Sequence, residues 1–307
     1  PMLLASWLTA LKQGFIRRYH SSQQRRCAAA QQWDLSPRLA AAGSSYGVTA
    51  RGVENWSSNP ELLEDRALLS TITVSQDDQQ GWVARVRDGN GVDLPQSNTG
   101  SQFVSGPSTP PSGSGSLRLF TESGHGDYGS EIRTKALAGT NVSDLASLGY
   151  STYVTANNGQ QAPYLTLWID YTNDGIADDR YHFEPDYSSL SSHPLALDTQ
   201  SNVTTGTWQT WDALNGYWYS DNAFAGDSPG SGTVKLSALI AGDLAQAGAS
   251  NPKIVNTGAY GGVRLASGFA SNTDNFNASV DKFTWGTTST TIYDFENVAP
   301  TNVYVNP

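Results

Sequence analysis

Four carboxylates crowd one short stretch of this chain. They are Asp170, Asp174, Asp178 and Asp179, within YLTLWIDYTNDGIADDRYHFEP, residues 164–185. Carboxylates spaced around a turn glycine are what an oxygen-rich calcium loop requires. Asp170-x-x-x-Asp174-Gly175-x-x-Asp178 meets part of that pattern. Thr172 holds the third position and Tyr181 the twelfth, where a bidentate Glu would close the shell. The expected ligands are Asp170, Asp174 and Asp178, the Thr172 hydroxyl and the Ile176 carbonyl. The expected cofactor is Ca2+, held weakly, on the order of 10⁻⁴ M. The competing reading of the same residues is a solvated hairpin tip.

A second group is aromatic. Trp208-Gln-Thr-Trp211 and Tyr217-Trp218-Tyr219 fall within twelve residues of one another. Flat rings on a rigid sheet stack on sugar faces, so Trp208, Trp211, Tyr217, Trp218 and Tyr219 are the expected ligand-binding residues. Strand alternation divides them. One of Trp208 and Trp211 should point inward, and Tyr217 and Tyr219 should share a face opposite Trp218. Core packing is the competing reading, because a sandwich of this size needs large rings inside.

Nucleophilic and metal catalysis find little support. There is no Gly-x-Ser-x-Gly elbow, and the four histidines show no His-x-x-x-His spacing. His125 sits in a Gly-flanked turn, and His182 is expected at the surface of the hairpin. Glycoside hydrolysis needs two carboxylates about 5–10 Å apart. Glu184 and Asp170, on opposite arms of the hairpin, are the candidate pair. No catalytic residue is assigned.

The elements that must position these groups are strands. Tyr164–Asp170 is rich in β-branched and aromatic residues, and Arg180–Glu184 alternates ring with polar side chain. Asn173-Asp174-Gly175 supplies a turn between them. Further strand-like runs follow at regular intervals: 70–74, 116–121, 131–136, 150–156, 208–213, 233–236, 262–265, 279–285 and 290–295. Residues 95–116, rich in Pro, Ser and Gly, read as one long loop. Residues 236–247 suit one short helix. Many short strands with one minor helix predict an all-β, jelly-roll-like β-sandwich over 71–297.

Charge is uneven along the 307 residues. The net is −10, yet residues 1–70 carry eight Lys/Arg against five Asp/Glu. The acidic body repels phosphate backbones, which excludes nucleic acid as an expected partner. The lone Cys27 permits no disulfide within the chain. No apolar run is long enough for a transmembrane helix. Residues 2–19 read as a basic amphipathic helix, and residues 20–60 lack any period, so 1–70 reads as a mostly disordered sorting extension.

Leu63-Glu64-Asp65-Arg66-Ala67-Leu68-Leu69-Ser70 resembles the short N-terminal signature of large exported proteins of planctomycete-type bacteria. That resemblance implies export and an extracellular or cell-surface location. The segment 80–297 is similar to jelly-roll, carbohydrate-binding-like modules of secreted bacterial proteins. Gly115–Leu119, the 164–185 hairpin, Gly261–Leu265 and the closing 276–284 and 293–296 strands carry that likeness. Residues 298–307 read as a linker, with Thr301–Val305 as the first strand of a further module.

The expected function is therefore a non-catalytic surface module that binds polysaccharide or mediates adhesion, stabilised by calcium. A glycan-cleaving enzyme using acidic residues near the hairpin is the alternative, and a structural spacer is a third reading.

Overall fold

The computed structural model describes residues 69–88, 92–95, 99–121, 124, 128–159, 161–188, 202–222, 233–257, 261–268 and 275–297. The chain divides into two units, Pro1–Glu61 and Leu62–Pro307, and every described residue belongs to the second. The basic helix, the aperiodic stretch, most of the export-like signature, His125 and the 298–307 tail lie outside the described residues.

The described chain is all-β with minor helices. One sheet contains β1 (Leu69–Ser75), β4 (Thr99–Ser105), β5 (Gly115–Thr121), β7 (Ser147–Ala156), β10 (Trp208–Asp212), β15 (Phe276–Gly286) and β16 (Thr290–Glu296). The other contains β2 (Trp82–Arg87), β3 (Asp93–Leu94), β6 (Gly129–Thr134), β8 (Tyr164–Asp170), β9 (Asp179–Phe183), β11 (Tyr217–Ser220), β12 (Val234–Lys235), β13 (Lys253–Ile254) and β14 (Val263–Gly268). Hairpins such as β2–β3, β4–β5 and β8–β9 stay within one sheet, and the chain crosses to the other sheet between them. The late pair β14–β15 then fills the gaps, β14 between β6 and β8, and β15 between β5 and β7. That interleaving is the jelly-roll-like sandwich the pattern predicts. Two short helices accompany it, α1 (Pro185–Ser188) and α2 (Leu236–Leu244).

Alternation along each strand builds the core. Leu165, Leu167 and Ile169 of β8 and Tyr181 and Phe183 of β9 face inward and are fully buried. Trp82 meets Phe283, Tyr293 and Phe295 of the opposite sheet edge-on, with ring centroids 5.3–5.5 Å apart. Burying such rings contributes about 1.5–3 kcal/mol each.

The long loop expected over 95–116 is instead interrupted by β4. Its Ser101 and Phe103 point inward, and it pairs with β5 from Thr99↔Thr121 to Ser105↔Gly115. Tertiary pairing overrides the weak strand propensity of Gly and Ser here. The loop texture is confined to 106–114, which the Gly106 N–H closes on the Ser114 carbonyl at 3.0 Å.

Candidate functional site

The hairpin forms as the sequence predicts, with Leu165↔Phe183 and Ile169↔Asp179 in register. Gly175 and Asn173 take positive φ, 83° and 59°, which a glycine and an asparagine adopt with least strain. The loop carboxylates bind their own backbone. Asp170 accepts the Asn173 and Gly175 N–H groups, at 2.5 and 2.8 Å. Asp178 accepts from the N–H groups of Tyr171 and Thr172 and from the Thr172 hydroxyl, at 2.8–3.0 Å. Asp174 accepts the Ile176 N–H at 2.8 Å. These bonds close the tip as Asx-type caps.

The pairing of Asp170 with Glu184 does not occur. The register puts Glu184 level with Tyr164, at the far end of the arm. At about 3.3 Å per residue that separates the carboxylates by roughly 20 Å, too far to flank one glycosidic bond.

The aromatic group is divided between the sheets. Trp208 and Trp211 lie on β10 in the seven-stranded sheet, whereas Tyr217, Trp218 and Tyr219 lie on β11 in the nine-stranded one. Trp211 and Trp218 are 1% and 0% exposed, and their indole N–H groups donate to Thr152 Oγ1 and the Ala213 carbonyl. Both are core rings. Trp208 is half-buried and donates to the Pro107 carbonyl. Tyr217 and Tyr219 share the face opposite Trp218, and the Lys235 ammonium sits 4.0 Å from the Tyr217 ring centroid. Of the five, Tyr219 alone lines the cleft described next.

That cleft, of about 420 Å³, lies on the outer face of the nine-stranded sheet. Tyr164, Tyr187 and Tyr219 line it together with Gln161, Arg87, Arg180, His182, Glu184 and Arg264. Beneath it one polar network crosses five neighbouring strands and ends on Asp221, just after β11. On the β2–β6–β14 side, Arg87 binds Glu131 through Nε at 2.9 Å, and Arg264 Nη1 lies 3.4 Å from the same carboxylate oxygen. Arg264 Nη2 then donates to Thr166 Oγ1 of β8 at 3.0 Å. Thr166 is 3.2 Å from His182 Nδ1, and His182 Nε2 is 3.1 Å from Asp221 Oδ1. Asp221, an ionised carboxylate, can only accept, and the other nitrogen of the neutral ring, Nδ1, accepts from the Thr166 hydroxyl. His182 therefore carries its proton on Nε2 and donates to Asp221.

Charges in this network are tuned by burial. Burial lowers the His182 pKa against the pull of Asp221 and so favours the neutral ring. Burial opposes the ionised form of Asp221, but the His182 and Arg180 bonds win and hold its carboxyl below the ordinary range. Glu184 is pushed up by burial, against the bond donated by the Tyr219 hydroxyl. Among the described residues, Arg264 Nε and Gln161 Oε1, both on cleft-lining side chains, have no hydrogen-bond partner. The Arg264 guanidinium sits 5.0 Å from the Trp168 ring centroid and 5.4 Å from that of Tyr164.

His182, expected at the surface, is 7% exposed. It does point outward, but Tyr219 stacks on it at 4.9 Å and covers it. Sequence reasoning also missed Arg87, Glu131, Tyr164, Arg264 and Gln161. The available signal was charge at outward positions of strands whose inward positions are all apolar, as in Glu131-Ile132-Arg133 and Val263-Arg264-Leu265. Comparison with family models, curated proteins and solved structures finds no match for this chain.

Proposed function

We propose that this chain is an extracellular, cell-surface module that binds polysaccharide without cleaving it, in the cleft on the nine-stranded sheet. One observation carries the reading. An open cleft rimmed by three tyrosine rings holds both a buried donor, Arg264 Nε, and a buried acceptor, Gln161 Oε1, that no group among the described residues satisfies. A sugar offers what that combination needs: hydroxyls that donate and accept, and apolar ring faces that stack on tyrosine. A glycan array tests it. Tyr187→Ala, which removes a half-buried rim ring, should weaken the best hit by about 1–3 kcal/mol and leave the fold intact. An array without hits rejects the reading.

Glycan cleavage is the second reading, supported by Glu184. Its carboxyl is pushed up by burial and bonded to the Tyr219 hydroxyl, as suits a general acid. Release of reducing ends from the array hits, abolished by Glu184→Gln, is its test. Calcium on the 170–178 loop is a further proposal, which rests on the sequence pattern of Asp170, Asp174 and Asp178 around Gly175. Added calcium should raise the melting temperature, and Asp174→Ala should remove that rise.

A further inference from the structure

Resting on the polysaccharide reading, we infer that the cleft selects acidic sugars, with Arg264 as the group that takes the sugar carboxylate.

The outer face of the sheet has two unlike sides. On β2, β6 and β14 it carries three buried arginines, Arg87, Arg133 and Arg264, around the single buried carboxylate of Glu131. Arg264 and Arg133 are direct cross-strand partners, an arrangement of like charges that costs stability unless an anion joins them. On β9 and β11, by contrast, Arg180 is matched by Asp221, and Glu184 by the Tyr219 hydroxyl. Arg87 and Arg264 line the cleft on the first side together with Asp88, whereas Arg133 does not, so what distinguishes that side is the unpartnered donor of Arg264 rather than net charge.

Arg264 is 4% exposed and lines the cleft. One Nη group is committed to Glu131 and the other to Thr166, while Nε–H has no partner among the described residues. A guanidinium offers five N–H donors in a rigid fork, so Nε–H and a remaining Nη–H match the two oxygens of a carboxylate. The Trp168 and Tyr164 rings beside the guanidinium fix it in place. Arg133 Nη1, outside the cleft lining, is buried and likewise without a hydrogen bond among the described residues. On the opposite side, Tyr187 and Tyr219 offer ring faces to the remainder of the sugar. The chain's net charge of −10 does not oppose this, because exposed charges beyond about 8 Å are screened at physiological salt.

The test uses the full chain and three uronate polysaccharides: polygalacturonate, alginate and hyaluronate. Each is presented beside its carboxyl-methylated form, with a neutral glucan as reference, in EDTA. Methylation removes the charge and keeps every ring and hydroxyl. At least one native uronate polysaccharide should bind about tenfold or more tightly than its ester, and Arg264→Gln should erase the difference. Arg264→Lys, which keeps the charge without the fork, should also weaken binding. If either variant fails to fold, the comparison of native with esterified polymer on the unaltered protein decides alone. Equal binding of acid and ester, or binding of the neutral glucan only, overturns the acidic-sugar inference and leaves the polysaccharide reading standing. Binding to none of the polymers overturns both.

Discussion

Two buried polar regions of this sandwich handle carboxylates in opposite ways. On the nine-stranded sheet, Glu131 is 1% exposed and lies between two arginines, Arg87 and Arg264. On the seven-stranded sheet, Asp281, Asp294 and Glu296 are buried where β15 and β16 meet the 106–114 loop, and among the described residues no cation pairs with them. Their partners are mainly backbone N–H groups. Asp281 accepts from Ser112 at 2.9 Å and Phe295 at 3.2 Å, and Glu296 accepts the Ser114 N–H at 2.5 Å. Backbone dipoles solvate a buried carboxylate less well than a guanidinium. Burial therefore pushes Asp281 up to about 7, and pushes Asp294 up as well, with Glu296 adding to the shift. The first arrangement holds charge ready for a ligand. The second clamps a loop and stores a pH dependence.

The largest effect should come from breaking the first arrangement. Glu131→Ala leaves Arg87 and Arg264 buried without their shared counter-charge. The expected loss is about 3–5 kcal/mol of unfolding free energy, measured by chemical denaturation. A loss below 1 kcal/mol would mean that water already screens the pair.

Titrating the raised carboxyls comes next, Asp281 in the second arrangement and Asp179 at the start of β9. Asp281 and Asp179 are both raised to about 7 by burial, so the folded state holds protons that the unfolded chain releases near 4. Their stabilising contribution is complete below about pH 4 and is lost as pH rises through about 7. Unfolding free energy should therefore fall between pH 4 and pH 8, by up to about 4 kcal/mol for each carboxyl. Asp281→Asn should flatten that fall, and a flat wild-type profile would refute the assignment.

A smaller effect should follow from Gly113→Ala in the clamp. Gly113 has φ +54°, and an added Cβ would lie 1.5 Å from Glu296 Oε1. Glu296 must give up its bond to Ser114, at an expected cost of about 1–2 kcal/mol. Thermal melting of this variant against wild type measures it.

The smallest should be Thr166→Val, which removes the hydroxyl that joins Arg264 to His182. The expected cost is about 1 kcal/mol. The informative readout is the His182 titration followed by NMR, which should move while the fold persists. An unchanged titration would show that Thr166 does not set the ring's tautomer.

Local pattern wrote the all-β class, the 164–185 hairpin and its turn, and most strands into the sequence, because alternation and turn chemistry act over a few residues. The inward and outward split of Tyr217, Trp218 and Tyr219 was legible for the same reason. What the sequence could not give was partnership. Glu131 meets Arg87, 44 positions away, because β2 pairs with β6, and Arg264, 133 positions away, because β14 inserts between β6 and β8. Trp211 and Tyr219, eight residues apart, are sent to different sheets by one crossover. β4 exists because β5 pairs with it, against its own Gly- and Ser-rich composition. His182 was read correctly as outward and wrongly as exposed: alternation sets the direction of a side chain, but only the neighbouring strand, through the Tyr219 ring, decides whether water reaches it.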